Sequence, residues 1–126
     1  MSLAETFKDS LQTLEQKKDV TIITKFFADD VELKRLTDED YHGKDGATKF
    51  WKEYLNTFKT QDTTFYNTAE TDGTALLEWR SEGELPNGKP FSYRGVSVLE
   101  HDGEKVSKFR TYYDSAVFAE PTPQKA

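Results

Sequence analysis

The chain has 126 residues, with 23 acids against 17 bases for a formal charge of −6, and no cysteine. That length suits one domain. The acidic balance argues against nucleic acid and anionic membrane surfaces, which need a basic footprint, and the missing thiols exclude disulfides, a cysteine nucleophile and Cys-ligated zinc. Hydrophobic residues make up only 35%, but aromatics reach 13%, and each aromatic buries a large area. No apolar run approaches a membrane span. The first residues lack the basic-then-apolar pattern of a secretory signal, so a cytoplasmic location is expected.

Ser2 and Glu5 have capping-box spacing. Leu3, Phe7, Leu11 and Leu14 then form one stripe of a first helix, predicted to end near Lys17-Lys18. Asp19 can cap a second helix with Val20, Ile22, Ile23, Phe26 and Phe27 on a broad buried face. Residues 31–36 read as a short strand, with Val31, Leu33 and Arg35 alternating against Glu32, Lys34 and Leu36. An acidic loop, TDEDYHG, covers residues 37–43. Asp45 is placed to cap a third helix carrying Ala47, Phe50, Trp51, Tyr54, Leu55 and Phe58 at helical spacing.

Residues 61–71 alternate as a strand. Asp72-Gly73 then opens a meander over residues 74–115, divided by Pro86-Asn87-Gly88 and by Asp102-Gly103. The final segment, EPTPQKA, has little to bury. The organisation expected is one domain over residues 1–119 and a flexible tail over 120–126. Helices followed by antiparallel strands give an α+β class with helices on one face of a twisted sheet. Such a sheet wrapped around a helix encloses a cone in which pockets form.

Three strings carry a family resemblance: FFADDVEL at residues 26–33, YHGKDGATKFWKEY at 41–54, and RGVSVLEHDGEKVSKFRTYYD at 94–114. Together they resemble the SnoaL-like branch of the nuclear transport factor 2-like superfamily, over essentially the whole chain. The resemblance implies a cystatin-like, cone-shaped α+β barrel of mostly antiparallel strands, and frequent homodimers packed through the outer sheet face. It also implies an internal pocket for a small, mostly apolar or carbonyl-containing molecule. Relatives include ketosteroid isomerases, polyketide cyclases, limonene epoxide hydrolases and non-enzymatic binding modules, so the fold does not choose the function.

The resemblance makes Asp114 the first candidate acid or base. A carboxylate beside Tyr112 and Tyr113 would lose hydration and gain a useful pKa; the competing reading is a strand end that caps a turn with Ser115. His42, after an aromatic and before Gly43, could relay a proton at the pocket mouth, or be an exposed loop histidine. Glu78 and Arg80 share a strand face. They fall where epoxide-hydrolase-like relatives carry Arg and Asp, so the charges are exchanged, and a solvated outer row continuing through Glu82 and Glu84 competes with a role in the pocket.

Trp51, Tyr54, Trp79, Arg80 and Tyr112 are the expected substrate contacts. Tyr66, Tyr93 and Tyr113 are further candidate donors to a substrate oxygen. Asp38, Asp40, His42 and Gly43 match the first half of a calcium loop, but Lys49 stands where the bidentate Glu is needed, and no metal is expected. No phosphate-binding glycine loop or nucleophile elbow is present, so cofactor-free proton transfer and plain ligand binding are the two functions carried forward.

Overall fold

The computed structural model describes residues 2–36 and 40–118. Helix α1 spans Leu3–Lys17. The Ser2 hydroxyl accepts the Glu5 N–H at 3.2 Å, as the capping spacing predicts. The helix closes at Lys18, which adopts a left-handed φ of 59° and donates its N–H to the Leu14 carbonyl.

The second helix is shorter than expected. α2 is one turn, Thr21–Thr24, and Phe27 opens strand β1, Phe27–Lys34, instead of continuing a helical face. β-branched residues fill α2 and disfavour its extension. The sheet also captures the next residues: Phe27 pairs in parallel with Val106, whose N–H donates to the Phe26 carbonyl at 2.7 Å. Asp19 does serve this turn, since its carboxylate accepts both the N–H and the hydroxyl of Thr21. The predicted acidic loop contains a short strand, β2 (Asp40–His42), paired antiparallel with β1. Helix α3 spans Gly43–Thr57. His42, not Asp45, therefore holds its cap position, and Asp45 lies in the first turn, where the helix dipole favours its charge.

The meander forms as read. Strands β3 (Thr60–Thr71), β4 (Thr74–Glu84), β5 (Pro90–His101) and β6 (Val106–Tyr113) precede a 3₁₀ turn at Ser115–Phe118. The six strands run in the order β2-β1-β6-β5-β4-β3, with β1 and β6 the parallel pair. Helix α1 packs on β3 at one end of the sheet and α3 on β1 and β2 at the other. The sheet must curl to meet both, and bulges after Phe65 and within β1 help it bend. The expected tail, residues 120–126, lies outside the described residues.

Two aromatic clusters fill the concave side. Phe7, Phe27, Phe50, Trp51 and Phe109 meet mostly edge to face, with Phe50 and Trp51 centroids 5.3 Å apart. Phe58, Trp79, Phe91 and Tyr93 form a second group, in which Phe58 stacks on Phe91 at 4.6 Å. Full burial of such a side chain stabilises by roughly 1.5–3 kcal/mol. The outer row of β4, by contrast, is Leu76, Glu78, Arg80 and Glu82, all exposed.

Candidate functional site

Members of both aromatic clusters wall a cavity of about 460 Å³ between the helices and the sheet. Of the residues read as substrate contacts, Trp51, Tyr54 and Trp79 line it. Arg80 and Tyr112 do not, because strand alternation turns them to the outer face. Arg80 donates through Nε to the Ser92 hydroxyl, and Tyr112 is 52% exposed. His42 is exposed, with Nδ1 4.0 Å from Glu32 Oε1. Asp114 is exposed and its carboxylate accepts the Ala116 N–H at 3.0 Å, the turn-capping arrangement; it is not among the cavity-lining residues. Asp40 pairs with Lys34 at 3.4 Å, while Asp38 lies outside the described residues.

The carboxyl group joined to the cavity wall is one the sequence reading missed, Glu15. It follows the apolar stripe of α1 and is only 3% exposed. Its Oε1 accepts the Thr63 N–H at 2.9 Å. Its Oε2 accepts the Tyr54 hydroxyl at 2.7 Å and the Thr63 hydroxyl at 2.6 Å. Gln61 Nε2 donates to Tyr54 Oη and to Ser81 Oγ, and the Thr63 and Ser81 hydroxyls stand 3.1 Å apart. The Glu15 carboxyl thus accepts from both the Tyr54 and the Thr63 hydroxyls, and Thr63 Oγ1 is also the donor side of its contact with Ser81 Oγ. Burial holds the Glu15 carboxyl above its usual range, partly offset by the Thr63 and Tyr54 hydrogen bonds. Burial and the neighbouring Glu15 charge push the Tyr54 phenol well up.

A second polar group lies on the sheet. Trp79 and Gly95 are register partners across β4 and β5. A side chain at Gly95 would come within 2.5 Å of both the Trp79 ring and the Tyr112 carbonyl, so glycine leaves room for the indole. From there Trp79 Nε1 donates to Ser97 Oγ at 3.0 Å, and the Ser97 hydroxyl is 3.1 Å from that of its register partner Thr111. Ser97 and Thr111 both line the cavity.

Arg35, another lining residue, donates through one terminal nitrogen to Tyr41 Oη at 3.0 Å and Glu53 Oε1 at 2.9 Å, and its guanidinium lies 4.5 Å from the Phe50 ring centroid. Its inward alternation with Val31 and Leu33 was visible in the sequence. Glu15 also had a signal, since it stands four residues after Leu11 on the buried face. Ser97 had only its place in the alternation of β5.

No match is found among curated proteins. Among solved structures, an NTF2-like protein from Anabaena variabilis superposes with a TM-score of 0.80 at 19% identity, covering 90% of this chain and 88% of that one. A protein of ketosteroid isomerase-like fold from Catenulispora acidiphila, solved with trimethylamine, gives a TM-score of 0.78 at 12% identity, over 88% and 87%. A putative SnoaL-like polyketide cyclase from Jannaschia sp. gives 0.76 at 13%, over 93% and 94%. At these identities the likeness establishes the α+β fold with its curved sheet. No helix among the described residues is long and apolar enough to cross a membrane. The sequence model of the SnoaL-like domain matches residues 8–109, so the chain belongs to the SnoaL-like domain family.

Proposed function

We propose that this chain is a binding module that holds a small, mostly apolar molecule between its helices and its sheet. The observation that carries the reading is the aromatic-walled cavity of about 460 Å³, within the range usual for small-molecule sites, roughly 300–1,000 Å³. The Catenulispora neighbour was itself solved in complex with a small molecule, trimethylamine. Proton transfer through Asp114 and His42 has less support, because both side chains are exposed and neither residue lines the cavity. Glu15 is closer to such a role, but Tyr54 and Thr63 stand between it and the cavity and occupy its oxygens.

Trp51 and Trp79 are the only two tryptophans of the chain, and both line the cavity. Tryptophan emission therefore reports occupancy directly. Titration with diphenylmethane is expected to give a saturable change in emission. A response that stays linear in ligand, or no response, would overturn the reading. The outer face exposes Tyr66, Leu76 and Tyr112, and pairing of this face with a second copy of the chain is part of the proposal. Sedimentation velocity checks it, with a monomer at high concentration counting against it.

A further inference from the structure

Resting on the binding reading above, we propose that the Ser97–Thr111 hydroxyl pair is where the cavity recognises its ligand, and that the ligand places an acceptor oxygen, of a ketone or a carboxylate, against β5 and β6. The argument is a count of hydrogens. Ser97 Oγ already accepts from Trp79 Nε1, and the two hydroxyls are 3.1 Å apart. Two hydroxyls carry two hydrogens, and a single contact between them takes one. The other has no acceptor among the described residues. It belongs to a pair of cavity-lining residues, of which Ser97 is only 6% exposed.

A donor enclosed without an acceptor is unfavourable, so the site gains from any ligand atom that supplies one. The Trp79 N–H directed into Ser97 polarises that hydroxyl and strengthens the bond it donates. The indole is held over Gly95, where no other side chain fits, so the donor is set before the ligand arrives. Three other lining hydroxyls are already engaged. Thr57 donates to the Glu53 carbonyl within α3, and Tyr54 and Thr63 donate to Glu15. Trp51 Nε1 and Arg35 Nε are further enclosed donors on lining residues, and an oxygen at the Ser97–Thr111 pair would orient a molecule that is apolar elsewhere.

The test compares three ligands by competition in ligand-observed NMR, on the unaltered chain and on the double variant Ser97→Ala, Thr111→Val. Diphenylmethane and benzophenone share a shape but exchange CH₂ for C=O, and diphenylacetate carries a carboxylate. The unaltered chain is expected to prefer benzophenone or diphenylacetate over diphenylmethane by about 3- to 10-fold, the effect of one hydrogen bond. The variant should bring the preferred ligand to parity with diphenylmethane, and the saturable binding of diphenylmethane that it retains shows the cavity intact. Preference for benzophenone assigns a neutral carbonyl, and preference for diphenylacetate an anion. Equal binding of all three by the unaltered chain, or a preference that survives in the variant even when Trp79→Phe is added to remove the indole N–H that Ser97→Ala leaves unpaired, overturns this inference and leaves the cavity reading standing. No binding of any of the three removes both.

Discussion

The Glu15 cluster beneath α1 and the Ser97 pair on β5 and β6 border the same cavity, and they differ in whether a buried carboxyl is there to take their hydrogens. Around Glu15, the Tyr54, Thr63 and Gln61 donors find acceptors, and the bonds tie α1 and α3 to β3 and β4. Gln12 adds a further tie, donating to the Thr63 carbonyl at 3.0 Å. On β5 and β6 the count leaves one hydroxyl hydrogen over. Polarity inside a fold can serve either end. A network anchored on a buried carboxyl fixes one arrangement of elements, whereas a donor left over costs stability unless something else completes it. The first belongs to the architecture and the second to recognition.

Breaking the Glu15 cluster should have the largest effect. Glu15→Ala leaves the Tyr54 hydroxyl and the Thr63 N–H and hydroxyl without their acceptor, at a cost of about 1–3 kcal/mol for each enclosed group left unpaired. The expected loss is about 3–5 kcal/mol, read as a fall in the urea midpoint at unchanged slope. A loss under about 1 kcal/mol would show that water replaces the carboxyl and that the cluster is not a lock.

The charge of Glu15 sharpens the point. Its folded-state pKa is raised above the ordinary value of 4.5, first by burial. The folded chain therefore holds this proton more tightly than the unfolded chain does. The resulting stabilisation is fully present below pH 4.5 and is lost as pH rises through the raised folded value. Glu15→Gln removes the titration. Denaturation across that interval should show the unaltered chain losing stability relative to the Gln variant as pH rises. A difference independent of pH would mean that Glu15 does not titrate in the window. Glu100, lowered by its hydrogen bond from Arg110, has the opposite slope, but it is far more exposed and is common to both proteins, so it cancels.

What the sequence disclosed follows the same division. The meander and the α3 stripe were legible because alternation and helical spacing are local signals. Phe27 was misplaced because its partner, Val106, is far along the chain, and no local pattern shows that a parallel strand will claim it. Trp51 and Tyr54 were placed by the α3 stripe, and both, with Trp79, line the cavity. Glu15 was passed over because a glutamate on a helix reads as solvated, although its spacing from Leu11 placed it inside. Asp114 was chosen by resemblance, and the chain leaves β6 at Tyr113, so that its side chain caps the following turn. The Ser97 pair required the β5–β6 register and the glycine under Trp79, which are properties of the assembled sheet.

The smallest effect is the most discriminating, because the same substitution can be made on both walls. Thr63→Val and Thr111→Val each exchange a hydroxyl for a methyl at nearly constant volume. At Thr63 the lost donor served a buried carboxyl at 2.6 Å, and hydrogen bonds to charged groups contribute about 1.5–3 kcal/mol. At Thr111 the lost group is half-buried and belongs to a pair with a hydrogen in excess, so its removal should change stability by under about 0.5 kcal/mol. Thermal denaturation of the two variants side by side measures the gap. If Thr111→Val costs as much as Thr63→Val, both walls are structural and the recognition argument loses its footing. If it costs nothing while the two-site variant erases ligand preference, the hydroxyl pair contributes to binding without contributing to the fold, as expected of a site whose partner comes from outside.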